Sequence, residues 1–178
     1  MRDNARRATL GIALAVLLGS ASLARYSVGL VTVALDAEIV VVADELSVAE
    51  VDGWSVATVK VTKVLRGNAG GELRFLAEPT WACDTSRAEP GTQVFLFLAA
   101  PSAEKDPLSG SRSIPEAVDG APIYRVAHYG RGRLPIQGAD GREVALYEPG
   151  DGEGKQAWPV EEVVALVART EHASRPRK

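Results

Sequence analysis

Short hydrophobic runs of strand length dominate the chain between residues 37 and 99. A continuous apolar run at 39–43 (IVVVA) predicts a strand that is covered on both faces, and the apolar run within 93–99 (QVFLFLA) predicts a central strand. The alternation of apolar and polar residues at 54–65 predicts a strand with one face in water. A shorter strand is expected within 71–78 (GELRFLAE). The pattern therefore predicts a mainly β domain, a small barrel or a sandwich.

The alternation in the second of these strands breaks near its end. Apolar and polar residues alternate up to Thr62, but Lys63 then falls on the apolar side. A β-bulge near Thr62 and Lys63 would restore the phase, and bulges allow strands to curl into small barrels. Just before this strand, Asp52 and Gly53 predict a turn.

The pattern weakens after residue 99. Residues 101–122 are rich in Pro, Ser and Gly, which predicts a long surface loop. Residues 123–129 (IYRVAHY) predict another strand. Two further strands, 134–137 and 142–147, flank a four-residue turn signal at 138–141 and predict an added β-hairpin.

A helical period replaces the strand pattern near the C terminus. Residues 158–169 are predicted to form a helix that packs on the sheet, with Pro159 at its first position. The spacing i, i+3, i+4, i+7 places four valines on one face of this helix: Val160, Val163, Val164 and Val167. The acidic residues Glu161 and Glu162 lie on the other face. Residues 149–157 are predicted to be a linker, and residues 170–178 a disordered tail.

Residues 1–24 have the form of an export signal. A positive start (Arg2, Arg6, Arg7) precedes nine apolar residues at 10–18, and Ser22 and Ala24 are small residues at the positions that a signal peptidase recognises. An uncleaved anchor is the alternative, because apolar residues resume at 28–35. The apolar run at 10–18 alone is too short to span a bilayer.

We therefore predict an exported protein, located in the periplasm, in the cell envelope or outside the cell. No stable membrane span is expected after the signal is cleaved. Residues 26–35 fit either a short helix or the first edge of the barrel, and residues 25–148 are predicted to form the β domain.

The composition and net charge of the chain indicate which classes of molecule it can bind. The chain has 178 residues and a formal charge of −3, with more Arg than Lys and little Asn, which is typical of a GC-rich bacterial genome. Residues 1–24 contribute +2, so a chain that begins at Arg25 has a charge of −5. An acidic domain repels phosphate backbones, so nucleic acid is not expected as a partner. We expect a monomer.

Few residues offer catalytic chemistry. Cys83 is the only cysteine, so no internal disulfide forms, and the only histidines are His128 and His172. His128 lies in a predicted strand, where a packed or surface role is favoured over catalysis. One Cys and one usable His fall short of the ligands that zinc needs. We predict no metal, no cofactor and no enzymatic activity.

Two other segments were considered as binding sites. Arg131 and Arg133 lie in a Gly-rich stretch that could bind an anion, but exposed arginines in a turn are the favoured interpretation. The loop 79–91 contains the predicted partner-binding residues Trp81, Cys83 and Asp84. Trp81 is expected either to contact a partner or to cover the open end of the barrel.

The amino-acid sequence of the central segment also resembles that of a known group of proteins. The stretches AEIVVVADELSV, VATVKVTKVLRG and CDTSRAEPGTQVFLFL together resemble a bacterial group of exported proteins, similar to the superfamily of netrin modules and tissue inhibitors of metalloproteinases. The resemblance covers residues 37–99 and implies an OB-like five-stranded barrel. The animal inhibitors ligate the zinc of the protease through a Cys-x-Cys at the mature N terminus. This chain has no Cys near Arg25, so the resemblance carries over the fold rather than that chemistry.

Taken together, these observations predict a small OB-like five-stranded barrel with an added β-hairpin and a C-terminal α-helix. The expected function is an exported, non-catalytic module that binds a protein. The alternatives are an inhibitor of a secreted peptidase and, less favoured, an enzyme that uses Cys83 and His128.

Overall fold

The computed structural model describes residues 29–79, 85–101, 113–139, 141–150 and 154–174, which form a mainly β fold with two helices. The predicted export signal lies outside the described residues, as do Trp81, Cys83 and Asp84. The elements in chain order are α1 (Leu30–Asp36), β1 (Ile39–Val51), β2 (Trp54–Arg66), β3 (Glu72–Leu76), β4 (Gln93–Ala99), β5 (Ala117–Val118), β6 (Ala121–Val126), β7 (Arg133–Ala139), β8 (Arg142–Tyr147), β9 (Gln156–Pro159) and α2 (Val160–Ser174).

Five of the strands close into a ring. Strand β1 pairs antiparallel with both β2 and β4, and β2 pairs antiparallel with β3. Strand β3 runs parallel to β6, which in turn pairs with the end of β4 at Leu98 and Ala99. The prediction of a mainly β domain is therefore confirmed.

The β1–β2 hairpin carries the predicted turn and the predicted bulge. Asp52 and Gly53 both have positive φ, 51° and 78°, as in the two-residue turns that match the twist of a hairpin. Thr62 is the extra residue between the paired neighbours Lys63 and Val61, and its Oγ1 donates a hydrogen bond of 3.0 Å to the carbonyl of Val42. Further register shifts follow Val40 and Glu45, so the hairpin bends at three places.

The central strands β1 and β4 are covered on both faces, as the continuous apolar run of β1 predicted. One face of each contributes Val41 and Leu96 to a cluster that also holds Val59 and Phe75. The other face contributes Val40, Phe95 and Phe97 to a cluster formed with α1, α2 and β8. Residues one apart in a strand point to opposite faces, so a single run of apolar residues supplies both clusters.

Strands β7, β8 and β9 form an antiparallel meander that leaves the ring at β4. The second edge of β4 is divided, because its end pairs with β6 while Val94, Phe95 and Leu96 pair with β7. The hairpin predicted from sequence is present, but its pairing continues to Ala139 opposite Arg142, so the loop is shorter than the four residues expected. Strand β9 pairs with β8 and was not predicted.

The C-terminal helix differs from the prediction at both ends. It is Val160–Ser174 rather than 158–169, because Pro159 ends β9 instead of opening the helix. The linker predicted at 149–157 is shorter, since Gln156 already belongs to β9. The tail predicted from residue 170 is wrong for residues 170–174, and Thr170 is buried. The helix does pack on the sheet, as expected, through Val163 and Val167.

The structure also corrects the predictions for residues 101–122 and 123–129, and it decides between the alternatives for residues 26–35. The long loop predicted at 101–122 contains β5 and the start of β6, which pair across a turn at Asp119 and Gly120. The strand predicted at 123–129 ends at Val126. Of the alternatives for residues 26–35, the helix is correct for Leu30–Asp36. Within the described ranges, neither helix is long and apolar enough to cross a membrane.

Arg66, at the end of β2, joins both helices to the ring. Its Nη1 donates to the carbonyls of Ala34 and Ala37, at the C-terminal end of α1. Its Nη2 donates to the carbonyl of Val167 at 3.0 Å and to Oγ1 of Thr170 at 2.5 Å, in α2. Burial lowers the pKa of Arg66 from its usual value, and the carboxylate of Glu171 acts in the opposite direction. The guanidinium thus satisfies carbonyls at the end of α1, where a helix leaves its last carbonyls without partners, and joins them to Val167 and Thr170 within α2.

Gly67, which follows Arg66, occupies a position that only glycine fits. Its φ is +79°, and a Cβ added there would lie 2.7 Å from the carbonyl oxygen of Glu38. We expect Gly67→Ala to lower the free energy of unfolding by about 2 kcal/mol, measured by urea denaturation. Gly70→Ala is the matched control, because nothing lies within 4 Å of its added Cβ. Equal stability of the two variants would contradict this assignment.

Candidate functional site

A charged pocket of about 260 Å³ opens between the segment that precedes β4 and the β7–β8–β9 meander. Thr85 lies on one wall, and Pro135 and Leu146 supply the apolar part of the other. Among the described residues, the charged lining consists of four cations and two carboxylates: Arg87, Arg131, Arg133, Lys155, Glu89 and Glu148. The cations come from three separate parts of the chain, which only the fold brings together.

Arg133, the first residue of β7, forms an ion pair with Glu45. Its Nε donates to Oε1 and its Nη2 to Oε2 of that carboxylate, both at 2.7 Å, which is the two-pronged geometry typical of arginine and carboxylate. The Arg133 side chain is 7% exposed, and that of Glu45 is fully buried. Oε2 of Glu45 also accepts the backbone N–H of Glu89 at 2.8 Å, so the carboxylate joins both walls of the pocket.

The backbone around Glu45 explains why a buried carboxylate is tolerated there. Glu45 is the last paired residue before the register shift in β1, and its N–H donates to the carbonyl of Thr92 at 2.9 Å. Its own carbonyl accepts the N–H of Gly91 at 2.8 Å. Main chain and side chain of Glu45 are thus both hydrogen-bonded, as burial of polar groups requires.

Arg131 is buried in the turn between β6 and β7 and is fixed by main-chain carbonyls. It is 4% exposed, and its Nε donates to the carbonyl of Pro149 at 2.9 Å. Two residues of this turn, His128 and Tyr129, have φ values of 51° and 55°, which is uncommon for residues other than glycine. Such a conformation persists only where the surrounding structure imposes it.

Close main-chain packing imposes this turn. Gly132 donates its N–H to the carbonyl of Ala127 and accepts the N–H of Phe97 at 2.8 Å. A Cβ on Gly132 would lie 2.6 Å from the carbonyl oxygen of Phe97. The turn is therefore pressed against β4 at the point where β6 and β7 share its edge, and Arg131 and Arg133 project from its two sides into the pocket lining.

His128 lies in this turn and not in the strand predicted for it. Its Nε2 is 2.6 Å from Oδ2 of Asp36, the last residue of α1. The side chain of His128 is 16% exposed and that of Asp36 is 59% exposed. The contact ties the turn to α1, and Cys83, the other residue of the enzyme hypothesis, is outside the described residues.

Residues that follow the predicted partner-binding segment in the sequence line the pocket. Trp81, Cys83 and Asp84 are outside the described residues, but Thr85 and Arg87, which follow them, line the pocket. Pro79, which precedes them, lines a second, shallower depression of about 510 Å³. Arg87 lines both depressions, so the two lie side by side.

Sequence reasoning considered Arg131 and Arg133 and set them aside as exposed arginines in a turn. That interpretation is wrong, because Arg131 is buried and the Arg133 side chain is nearly so. The glycines at 130 and 132 hinted at a constrained turn. Nothing in the sequence indicated Glu45, whose partner Arg133 is 88 residues away.

The charge of the pocket is opposite to that of the protein. Its described lining carries a formal +2, whereas the chain carries −3. Partly enclosed cations attract anions more strongly than exposed ones, because the surrounding protein screens them less than water does. The part of the chain that the structure describes contains no group of three or more potential metal ligands. The arrangement is suited to holding a small anion.

The chain was compared with protein-family models, with curated proteins and with solved structures, and none of the three comparisons gave a match.

Proposed function

We propose that this protein is an exported, non-catalytic binding module, built on an OB-like barrel, that engages a protein partner beside the charged pocket. Export is supported by the form of residues 1–24, with their basic start, apolar run and small residues before Arg25. Binding takes place at the side of the ring where the segment between β3 and β4 meets the meander.

The strand arrangement supports an OB-like barrel. Numbered along the chain, the ring strands follow the order first, second, third, fifth, fourth, with the only parallel contact of the ring between β3 and β6. An OB barrel is a five-stranded Greek-key barrel of this kind. The three bulges in the β1–β2 hairpin supply the bending that ring closure requires.

The observation that carries the proposal is the pair of adjoining depressions around Arg87. Pro79 lines one depression and Thr85 the other, so the residues on either side of Trp81 in the sequence reach both. Arg131 and Arg133 are held in position by hydrogen bonds before any ligand arrives. Fixed side chains lose little conformational entropy on binding, which favours recognition. Trp81, which lies between Pro79 and Thr85 in the sequence, is the type of side chain that dominates the energy of protein interfaces.

Retention of host proteins by the immobilised protein tests this proposal. We expect one discrete protein from the cell envelope or the medium to be retained, and Trp81→Ala to weaken its binding about tenfold or more. The reason is that a tryptophan at the centre of an interface contributes more than most contact residues. Binding to wild type and variant is measured by surface plasmon resonance once the partner is isolated.

Val64→Ser is the matched control, because Val64 is 41% exposed on β2 but lies near the end opposite Ser55, which lines the second depression. It should bind as wild type does. Both variants must retain the unfolding midpoint of the wild type in urea. Equal binding by Trp81→Ala and wild type, or no retained protein at all, would contradict the proposed function.

A further inference from the structure

We propose that the basic pocket is a carboxylate site, which receives an acidic side chain from an extended segment of the partner protein. This inference rests on the proposed function and names the chemistry that the site recognises. Four features of the pocket support the proposal. They are its charged lining, its two anchored arginines, its size and its position beside a second depression.

The anchored arginines form a preorganised receptor. Arg131 donates its Nε to the Pro149 carbonyl, and Arg133 donates its Nε and Nη2 to the Glu45 carboxylate, so the orientation of both guanidinium planes is fixed by residues outside the pocket lining. A guanidinium matches a carboxylate in shape and offers several N–H donors in a rigid plane. Arg87 and Lys155 are exposed and add two mobile cations at the mouth.

The internal pair of Arg133 and Glu45 demonstrates the same chemistry at the same wall. One carboxylate is held there by two guanidinium N–H groups and by the backbone N–H of Glu89. A second carboxylate that enters the pocket meets the other cations of the same cluster. The protein thus already stabilises one buried carboxylate with its own residues at this place.

Size and charge favour one carboxylate over larger anions. The pocket holds about 260 Å³, slightly below the roughly 300–1,000 Å³ typical of sites for drug-sized ligands. Its described lining has four cations against Glu89 and Glu148, and Glu45 neutralises Arg133 from outside the lining, so one positive charge is left in excess. A singly charged group suits this excess better than a phosphate chain, and the acidic protein repels a nucleic acid at long range.

The second depression indicates that the carboxylate belongs to a longer segment. Arg87 lines both the basic pocket and a depression that is formed by apolar residues, among them Val48 and Pro79, and by the carboxylates Glu50 and Glu78. The acidic residue of the segment therefore enters the basic pocket, and an uncharged part of the segment enters the depression. Val48 is 41% exposed there, so apolar surface is available next to the charged site. A peptide in extended form places neighbouring side chains a few ångströms apart, so one chain can occupy both places.

The test is a calorimetric titration of the protein, purified from its own host, with a blocked tetraglutamate peptide at low salt. We expect saturable binding, weakened about tenfold by Arg87→Gln combined with Lys155→Gln, and weakened further as the salt concentration rises. A blocked tetraglutamine peptide should not bind. Because Arg87 and Lys155 are exposed, their substitution leaves the fold intact.

The control combines Arg169→Gln with Lys60→Gln, which removes two exposed cations elsewhere and gives the same net charge. Tetraglutamate should bind this variant within twofold of wild type. In parallel, the Nε–H resonances of Arg131 and Arg133 should shift on titration in nitrogen-15 spectra. This readout reports on the pocket rather than on general attraction.

Three outcomes would overturn the carboxylate assignment. The first is that both double variants weaken the binding of tetraglutamate equally. The second is that inorganic phosphate binds tightly while tetraglutamate does not bind. The third is that the resonances of Arg131 and Arg133 do not change at saturation. Any of these leaves the proposed function standing if a partner is still retained and lost in Trp81→Ala. Binding of tetraglutamate without any retained protein would instead keep the anion site and contradict the protein-binding module.

Discussion

Glu45→Gln is expected to lower the free energy of unfolding by about 3–5 kcal/mol, the largest effect of any single charge change that we predict. The substitution preserves the shape of the side chain but removes its charge. Arg133, whose side chain is 7% exposed, then remains charged without its buried partner. Leaving a buried charge uncompensated costs more than the ion pair contributed, because the desolvation of the remaining group is no longer offset.

Urea denaturation of wild type and variant measures this difference. Glu50→Gln is the matched control, since Glu50 lies in the same strand but is exposed, and it should change stability by less than about 0.5 kcal/mol. Combining Glu45→Leu with Arg133→Leu should restore part of the loss, since no charge is left behind. Recovery should be incomplete, because the N–H of Glu89 loses its acceptor. A small effect of Glu45→Gln would mean that the pair does not fix the pocket wall.

Arg66→Met is expected to lower the free energy of unfolding by about 2–4 kcal/mol. Methionine keeps the apolar stem but removes every donor that reaches the two helices. The carbonyls of Ala34 and Ala37 then lose this donor, and partly buried acceptors without hydrogen bonds are costly. The Val167 carbonyl keeps the hydrogen bond from Oγ1 of Thr170, but α2 loses its bonds to the ring. We also expect faster amide hydrogen exchange in α1 and α2 than in the ring, because the helices lose their common anchor.

Two variants separate this explanation from a general loss of charge. Lys63→Met removes an exposed cation from the same strand and should be nearly neutral. Arg66→Lys keeps the charge but should recover only part of the stability, since an ammonium group does not present the two separate nitrogens that contact the two helices. Full recovery by lysine would show that charge alone, rather than the guanidinium geometry, holds the helices.

The strands could be predicted because their signals are local. Apolar runs and alternation located β1–β4, and the misplaced Lys63 marked the bulge at Thr62. Strand β1 continues eight residues beyond the predicted 39–43, because its second half mixes charged and aliphatic residues. Strand β9 was missed because its four residues, QAWP, contain neither alternation nor β-branched residues. The extension of α2 was missed because Thr170 and Glu171 are polar and break the apolar spacing, although Thr170 packs beside Arg66.

The candidate site depends on contacts that no local pattern encodes. Glu45 and Arg133 are 88 residues apart, and each belongs to a stretch in which charged residues are ordinarily exposed. The burial of Arg131 follows from the way its turn is pressed against β4, which depends on strand order. Only Trp81, Cys83 and Asp84 were selected from sequence, by their place in a loop, and they lie outside the described residues.

The resemblance noted from sequence contains two residues with physical roles in this fold. Its second strand ends in Leu65, Arg66 and Gly67. Arg66 holds both helices, and Gly67 adopts a conformation and a proximity to Glu38 that a side chain would prevent. A short pattern can therefore reflect the needs of the fold rather than the chemistry of a reaction.

The parallel contact between β3 and β6 also determines when the ring can close during synthesis. Strand β6 begins 45 residues after β3 ends, so the first four ring strands emerge before the strand that completes them. Until residue 126 is available, one edge of β3 and the end of one edge of β4 have no neighbour in the ring. Unpaired edges invite pairing with other chains, and non-local pairing slows folding. A nascent chain of this protein therefore depends on its last third both for completion of the ring and for protection against aggregation.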